Sequence, residues 1–233
     1  MIYNGDTPVS RAQSFHDVVR SRHSVRSFLP TPVPPSVIRS VVQDAQHAPS
    51  NCNTQPWQVH IASGATRDAL SKAILAADEA GHISPDFSFS LDDFHGVYGE
   101  RSRAQGAAYY QAIGIAREAR DERRTATLRN LNFFDAPHVA LMFMPVVGDC
   151  VRVAGDIGMY GQTFLLSLTA HGLGGIAQTM LGFYAETIRA VLGVDPSMKM
   201  LFGMSFGYPD TNSAANHYRI GKASIEESVT LYD

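Results

Sequence analysis

Apolar residues fall on two different periods along this chain, and the periods divide it into elements. A spacing near 3.6 predicts helices over 36–47, where Val37, Ile38, Val41, Val42 and Ala45 share a face, and over 67–80, with Leu70, Ala73, Ile74 and Ala77. A short helix over 14–21 has Ser14 as its N-cap and Asp17 in its first turn. Pro30, Pro32, Pro34 and Pro35 interrupt regular structure and lead into the second helix. Residues 104–130 are helical by composition, against the cost of Gly106 and Gly114. The stretch 153–171 is apolar nearly all round and stops at Gly172, so it must be covered on every side, and a subunit interface would do that. A last helix, 185–192, ends at Gly193.

Strand patterns cover 58–62, 139–144 (a continuous apolar run), 175–180 as a short strand or extended loop, 200–207, and the tail at 225–232. Residues 81–103 have weak periodicity and read as an irregular or loosely helical insertion. Helices and strands interleave without a repeat or an internal boundary, which predicts one mixed α and β domain over 1–233.

Composition narrows the function classes. The chain has 233 residues, 45% of them hydrophobic, and a net charge of -3, which gives no basic excess for tracking nucleic acid. Arg117, Arg120, Arg123, Arg124 and Arg129 alternate with Glu118, Asp121 and Glu122 and read as a solvated helix face. Two cysteines, Cys52 and Cys150, make neither a disulfide framework nor a four-thiolate site, and the nine histidines lack ligand spacing, so no metal is expected. No apolar run reaches the roughly 20 residues of a membrane span. The opening MIYNGDTPVS has no apolar core, so the expected location is the reducing cytoplasm.

The candidate chemistry lies in two polar stretches. In 21–28, SRHSVRSF, Arg22, Ser24 and Arg26 sit at every second position, so an extended chain would point all three one way. Guanidinium forks suit phosphate and the carbonyl edge of a heterocycle. In 48–57, APSNCNTQPW, Ser50, Asn51, Asn53 and Gln55 add groups that both donate and accept. Together they suit a large planar ligand with an anionic end; taken singly, they are a solvated basic turn and a set of Asx turns.

These two stretches, with VPPSVIRSVVQDA between them, resemble the N-terminal signature of the nitroreductase family of FMN flavoenzymes. HGLGG, IAQTM, VLGV, LFGMSFGYPD and the late NHYR extend the resemblance across residues 15–219. It implies an α+β, three-layer fold with a central, mostly antiparallel sheet flanked by helices, built as an intertwined homodimer with FMN at the subunit interface. It also implies electron transfer from NADH or NADPH through FMN to nitroaromatics, quinones or a related small aromatic acceptor, the hydride passing through flavin N5. Arg22, His23, Ser24 and Arg26 fall on the first FMN motif, which holds the phosphate, ribityl chain and pyrimidine edge. Pro49, Ser50, Asn51 and Asn53 fall on the segment that the partner subunit offers, Ala177 and Gln178 on the strand facing the ring, and Arg219 on a phosphate arginine. Thr179 and Met180 depart from the Glu-Gly that some members have there. No side chain is expected to be catalytic, because the flavin carries the chemistry. A specialised flavin reaction such as reductive dehalogenation, or flavin binding without turnover, remains an alternative.

Within this frame, 81–135 is the variable insertion or lid and 222–233 a tail that packs on the partner subunit. Tyr109, Phe133 and Phe134 could line the acceptor pocket by stacking, or simply pack in the core. Gly203, Ser205 and Gly207 spell G-x-S-x-G, but Tyr208-Pro209-Asp210 follows where a nucleophile elbow needs a helix. Gly172, Gly174 and Gly175 follow a helix and precede a strand, which favours a helix C-cap over a phosphate cradle. Cys52 reads as a small filler.

Overall fold

A computed structural model describes residues 14–233; the opening stretch read for a leader lies outside them. Seven helices and four strands follow one another as α1 (Phe15–Ser21), α2 (Pro35–Ala45), β1 (Gln58–Ser63), α3 (Gly64–Glu79), α4 (Gly96–Ala112), α5 (Arg120–Leu128), β2 (His138–Met144), α6 (Val151–Ala170), β3 (Gly174–Gln178), α7 (Ala185–Leu192) and β4 (Lys199–Gly207) among the described residues. Local rules account for several ends. Ser14 and Asp17 close a reciprocal capping box on α1. Pro35 opens α2, and Gly193 ends α7 in the left-handed conformation at φ 66°.

The strands form one antiparallel sheet in the order β1-β2-β4-β3. β2 is central and buried on both faces. Its Val139, Leu141 and Phe143 face α3 and α7 with Leu70, Ile74, Tyr184 and Ile188. Its Ala140, Met142 and Met144 face α2 and α6 with Val41, Ile157, Tyr160 and Phe164. Period-two alternation thus divides the interior into two cores, giving three layers with the sheet in the middle.

The glycines of G-x-S-x-G serve packing. A Cβ on Gly203 would come within 2.5 Å of Leu181 Cδ1, and one on Gly207 within 2.8 Å of Pro137 Cδ. Ser205 is fully buried and donates to Gln178 Oε1. No substrate reaches it, and the hydrolase reading ends there.

Three expectations need correction. Residues 104–130 are not one helix: the chain leaves α4 through Gly114 at φ 71°, a left-handed turn that separates it from α5. α4 also starts earlier, inside the stretch read as irregular. The 225–232 tail is not a strand; Ser228 and Val229 donate back to the carbonyl of Ile225, and the tail pairs with no strand among the described residues. Within one chain α6 leaves Gly155, Gly158, Met159 and Gln162 as an exposed stripe, the side that the expected subunit interface would have to cover. Among the described residues no helix is long and apolar enough to cross a membrane.

One buried histidine, His138, and two half-buried ones, His60 and His23, should make stability depend on pH. His138 is 3% exposed, stacks on Phe206, and accepts the N–H of Val33 at Nε2 (2.9 Å). Burial holds His138, His60 and His23 below the ordinary imidazole pKa. The folded state therefore prefers neutral rings, while the unfolded chain takes up protons as the pH falls through about 6.5. Stability is fully present above that pH and is lost as acidification approaches the lower folded values. Urea unfolding at pH 7.5 and 5.5 should give a lower midpoint at 5.5, and His138→Gln should flatten the difference. A midpoint that is level or higher at pH 5.5 would contradict neutral burial.

Candidate functional site

The site is assembled where the chain leaves α1. Arg22 caps that helix, its N–H bonded to Val18 O, and then turns out of helical geometry. The next residues run extended beside β3: Ser24 pairs with Gly175 in a parallel bridge, and Val25 N–H donates to Gly175 O at 3.2 Å. Val25 is 1% exposed and points inward, so its neighbours Ser24 and Arg26 turn the other way. Gly174 permits this approach, since a Cβ there would lie 2.5 Å from Val25 Cγ2.

The C-terminal segment closes on the same place. Buried Asn216 accepts the N–H of Arg26 at Oδ1 (2.8 Å) and donates through Nδ2 to the carbonyls of Ser27 and Asp210. Arg219 donates to the carbonyls of Asn216 and Tyr218, and reaches His23 Nε2 at 3.3 Å. His23 Nδ1 lies 2.8 Å from Ser21 O, which assigns the proton to Nδ1 and leaves Nε2 to accept. Burial, followed by Arg219, Arg22 and Arg26, depresses its pKa, so the ring stays neutral.

Arg22, Arg26 and Arg219 all lie close enough to His23 to depress its pKa, so three positive charges gather at one place. Arg67, Arg124, Arg129 and Arg189 each meet an aspartate. Among the described residues Arg22, Arg26 and Arg219 form no ion pair. Three guanidiniums converge with no carboxylate to balance them, which is an anion site by composition.

The second polar stretch lies elsewhere. Asn51 N–H donates to Asp156 Oδ1 at 3.0 Å, and Asp156 is a buried residue of α6. Gly175, next to the arginine segment, lies against Leu165 and Leu168 of the same helix. At 1.5 Å per residue these anchor points are about 14–18 Å apart along α6. One chain therefore does not bring Pro49, Ser50, Asn51 and Asn53 to its own arginines. Cys52, Asn53 and Gln55 all take positive φ, a concentration of backbone strain in an exposed loop.

Ala177 is exposed on β3, two residues beyond the bridge to Ser24. Gln178 is not open to a ligand through its side chain. It is 3% exposed, donates to Asn130 O at 2.9 Å and accepts from Ser205, so only its main chain is left to offer. Phe133 and Phe134 do not line a pocket. They are 0% and 1% exposed and belong to the core. With Asp135 they form a left-handed turn, which Arg67 holds by donating to the carbonyls of Asn132 and Ala136. Tyr109 does belong to the site, though through the cluster rather than as an open stacking platform. Its ring lies under Arg26, and its buried hydroxyl has no partner among the described residues.

Sequence reasoning missed Asn216 and Tyr218 as parts of the site. Both stand in NHYR, where the motif assigns a role only to the arginine. A cavity of about 590 Å³ between the proline loop and His138 includes none of the cluster. In a single chain the cluster is an open shelf.

The sequence matches the profile of the Nitroreductase family over residues 19–208. It is 43% identical to "Nitroreductase NfnB" of Mycolicibacterium smegmatis over 94% of this chain and 93% of that protein. It is 33% identical to "4-nitrobenzoate reductase" of Pseudomonas putida over 88% of this chain and 90% of that one. The fold superimposes on the crystal structure of the FMN-dependent nitroreductase NfnB from Mycobacterium smegmatis in complex with NADPH, with a TM-score of 0.90, 42% identity, and coverage of 94% and 97%.

Gly174→Ala should push Val25 and the arginine segment off β3, costing about 1–3 kcal/mol. Gly106→Ala, where a Cβ meets nothing within 4 Å, should be neutral or slightly stabilising. Thermal unfolding compares them. Equal stability of Gly174→Ala and the parent would refute the close-approach account.

Proposed function

The chain belongs to the nitroreductase family, and from that premise we propose that it is an FMN-dependent oxidoreductase taking electrons from NADPH or NADH and reducing nitroaromatic or related acceptors. The observation that carries the reading is the convergence of Arg22, Arg26 and Arg219 with no balancing carboxylate among the described residues. The donor set fits the cofactor: Arg22 and Arg219 hold the phosphate, His23 and Ser24 the ribityl side, and Arg26 the pyrimidine edge. The exposed face of Ala177 and the main chain of Gln178 line the ring. FMN, when bound, supplies two-electron transfer between the nicotinamide and the acceptor. The protein binds, orients and sets the charge around it, so no side chain need act as nucleophile or dedicated base. Similarity to two nitroreductases described as NADPH-bound or NADPH-dependent favours NADPH as donor.

The site is completed by a second copy of the chain, which supplies Pro49, Ser50, Asn51 and Asn53. The spacing along α6 supports this, as do the exposed Met159 and the exposed apolar Phe15, Ile225 and Leu231, which need a cover. In this reading the chain is one domain, 81–135 is its lid region, 222–233 packs on the partner, and the enzyme is cytoplasmic with Cys52 and Cys150 as free thiols.

The purified protein should be yellow, bleach with NADPH and regain colour with a nitroarene. Arg22→Ala and Arg219→Ala each remove charge-assisted contacts of about 1.5–3 kcal/mol, so the FMN dissociation constant should rise roughly tenfold or more. A colourless protein that takes up no added FMN would overturn the reading.

A further inference from the structure

Arg26 is held more elaborately than any other member of the cluster. Its guanidinium carbon lies 5.2 Å from the ring centroid of Tyr109 and 5.6 Å from that of Tyr218. The two rings are 6.0 Å apart, tilted at 48°. Tyr218 Oη accepts from Arg26 Nη1 and, at 3.2 Å, from Gln105 Nε2. Asn216 fixes the main chain of the same arginine. A free arginine side chain samples many rotamers, and two rings and a hydroxyl remove that freedom before any ligand binds.

The clamp comes from two distant parts of the chain. Arg101, Gln105 and Tyr109 lie four residues apart on α4 and so share one face. That face meets the C-terminal segment: Arg101 pairs with Glu227 at 2.8 Å, Gln105 bonds Tyr218, and the Tyr109 ring meets the Tyr218 ring. A helix of the variable 81–135 region thus reaches back to an arginine of the N-terminal motif. Burial, the largest cause, raises the pKa of the Tyr109 phenol, so it stays neutral and does not cancel the charge it holds.

A cation fixed at the edge of a ring favours whatever form of that ring carries more negative charge, and it does so without reorganising. We propose that Tyr109 and Tyr218 are positioning residues that lock the Arg26 guanidinium against the flavin edge and thereby set the reduction potential of the bound cofactor. This rests on the reading of Arg26 as a flavin contact. It makes α4, in the variable region, a determinant of redox poise as well as a lid.

The test compares Tyr109→Leu, Tyr218→Leu, Tyr109→Phe, Tyr218→Phe and Arg26→Ala. The FMN dissociation constant is measured by fluorescence titration of deflavinated protein, and the midpoint potential by spectroelectrochemistry. Each leucine variant should lower the ratio of reduced to oxidised FMN affinity roughly tenfold, which is about 30 mV for a two-electron couple. Tyr109→Phe keeps its ring and should restore the potential, and Tyr218→Phe should fall between because it loses the hydroxyl that Arg26 bonds. If Arg26→Ala shifts the potential while the leucine variants do not, the clamp is refuted. Should the leucine variants fail to fold, a Tyr218→Phe potential equal to that of the parent refutes it as well. If Arg26→Ala changes neither affinity nor potential, the assignment of Arg26 to the flavin fails first, and the clamp with it.

Discussion

The site depends on a contact that has no side chain on one of its two partners. Gly174 lets Val25 press onto β3, and Gly175, turned to the opposite face, lets Leu165 and Leu168 of α6 do the same from the other side. A methyl group at either position would sit well inside van der Waals distance of its neighbour. Because both faces of the strand are stripped, the segment carrying Arg22, Ser24 and Arg26 can join the sheet by a single parallel bridge and a single 3.2 Å hydrogen bond. Burial of Val25 and Phe28, the pairing of Phe28 with Pro209 and the Asn216 bonds to Arg26 and Ser27 reinforce that join.

On that scaffold the protein holds positive charge that it does not neutralise. Arg189 lies against an almost fully buried aspartate, Asp86, which also meets Lys199 and the N–H of Met200. Arg22, Arg26 and Arg219 are treated differently. Arg26 and Arg219 receive carbonyl, hydroxyl and aromatic partners, which orient them and leave the charge intact, and Arg22 is fixed through its main chain at the end of α1. His23, pushed toward neutrality among them, accepts from Arg219 without adding to the repulsion. A site arranged this way is suited to an anion.

Two features lie outside the arginine shelf itself. The left-handed loop at 52–55 is strained, exposed and tied by Asn51 to the buried carboxylate of Asp156, so it is held firmly but far from the arginines of its own chain. The α4 helix, by contrast, bonds to the C-terminal segment through residues spaced one turn apart. Through this coupling α4 reaches Arg26 of the N-terminal segment.

Much was legible in the sequence because it rests on interactions between near neighbours. Ser14 and Asp17 are three residues apart, Pro35 acts on its own φ, Gly193 ends a helix by itself, and the unbroken apolar run of 139–144 marks a strand buried on two faces. The every-second-residue spacing of Arg22, Ser24 and Arg26 needed only an extended backbone, and the family motifs named the cluster. What depended on tertiary structure involved register and distant partners. The side of β3 that Gln178 faces is set by pairing with β4, which directs its amide to Ser205 and Asn130 and away from the shelf. Phe133 and Phe134 look like stacking residues until a left-handed turn, pinned by Arg67, turns them into the core. Tyr109 and Tyr218 lie far apart in sequence, and only packing of α4 on the C-terminal segment puts their rings around one guanidinium. Short-range preferences are written residue by residue, whereas the partner of a side chain is decided by which elements the fold lays together.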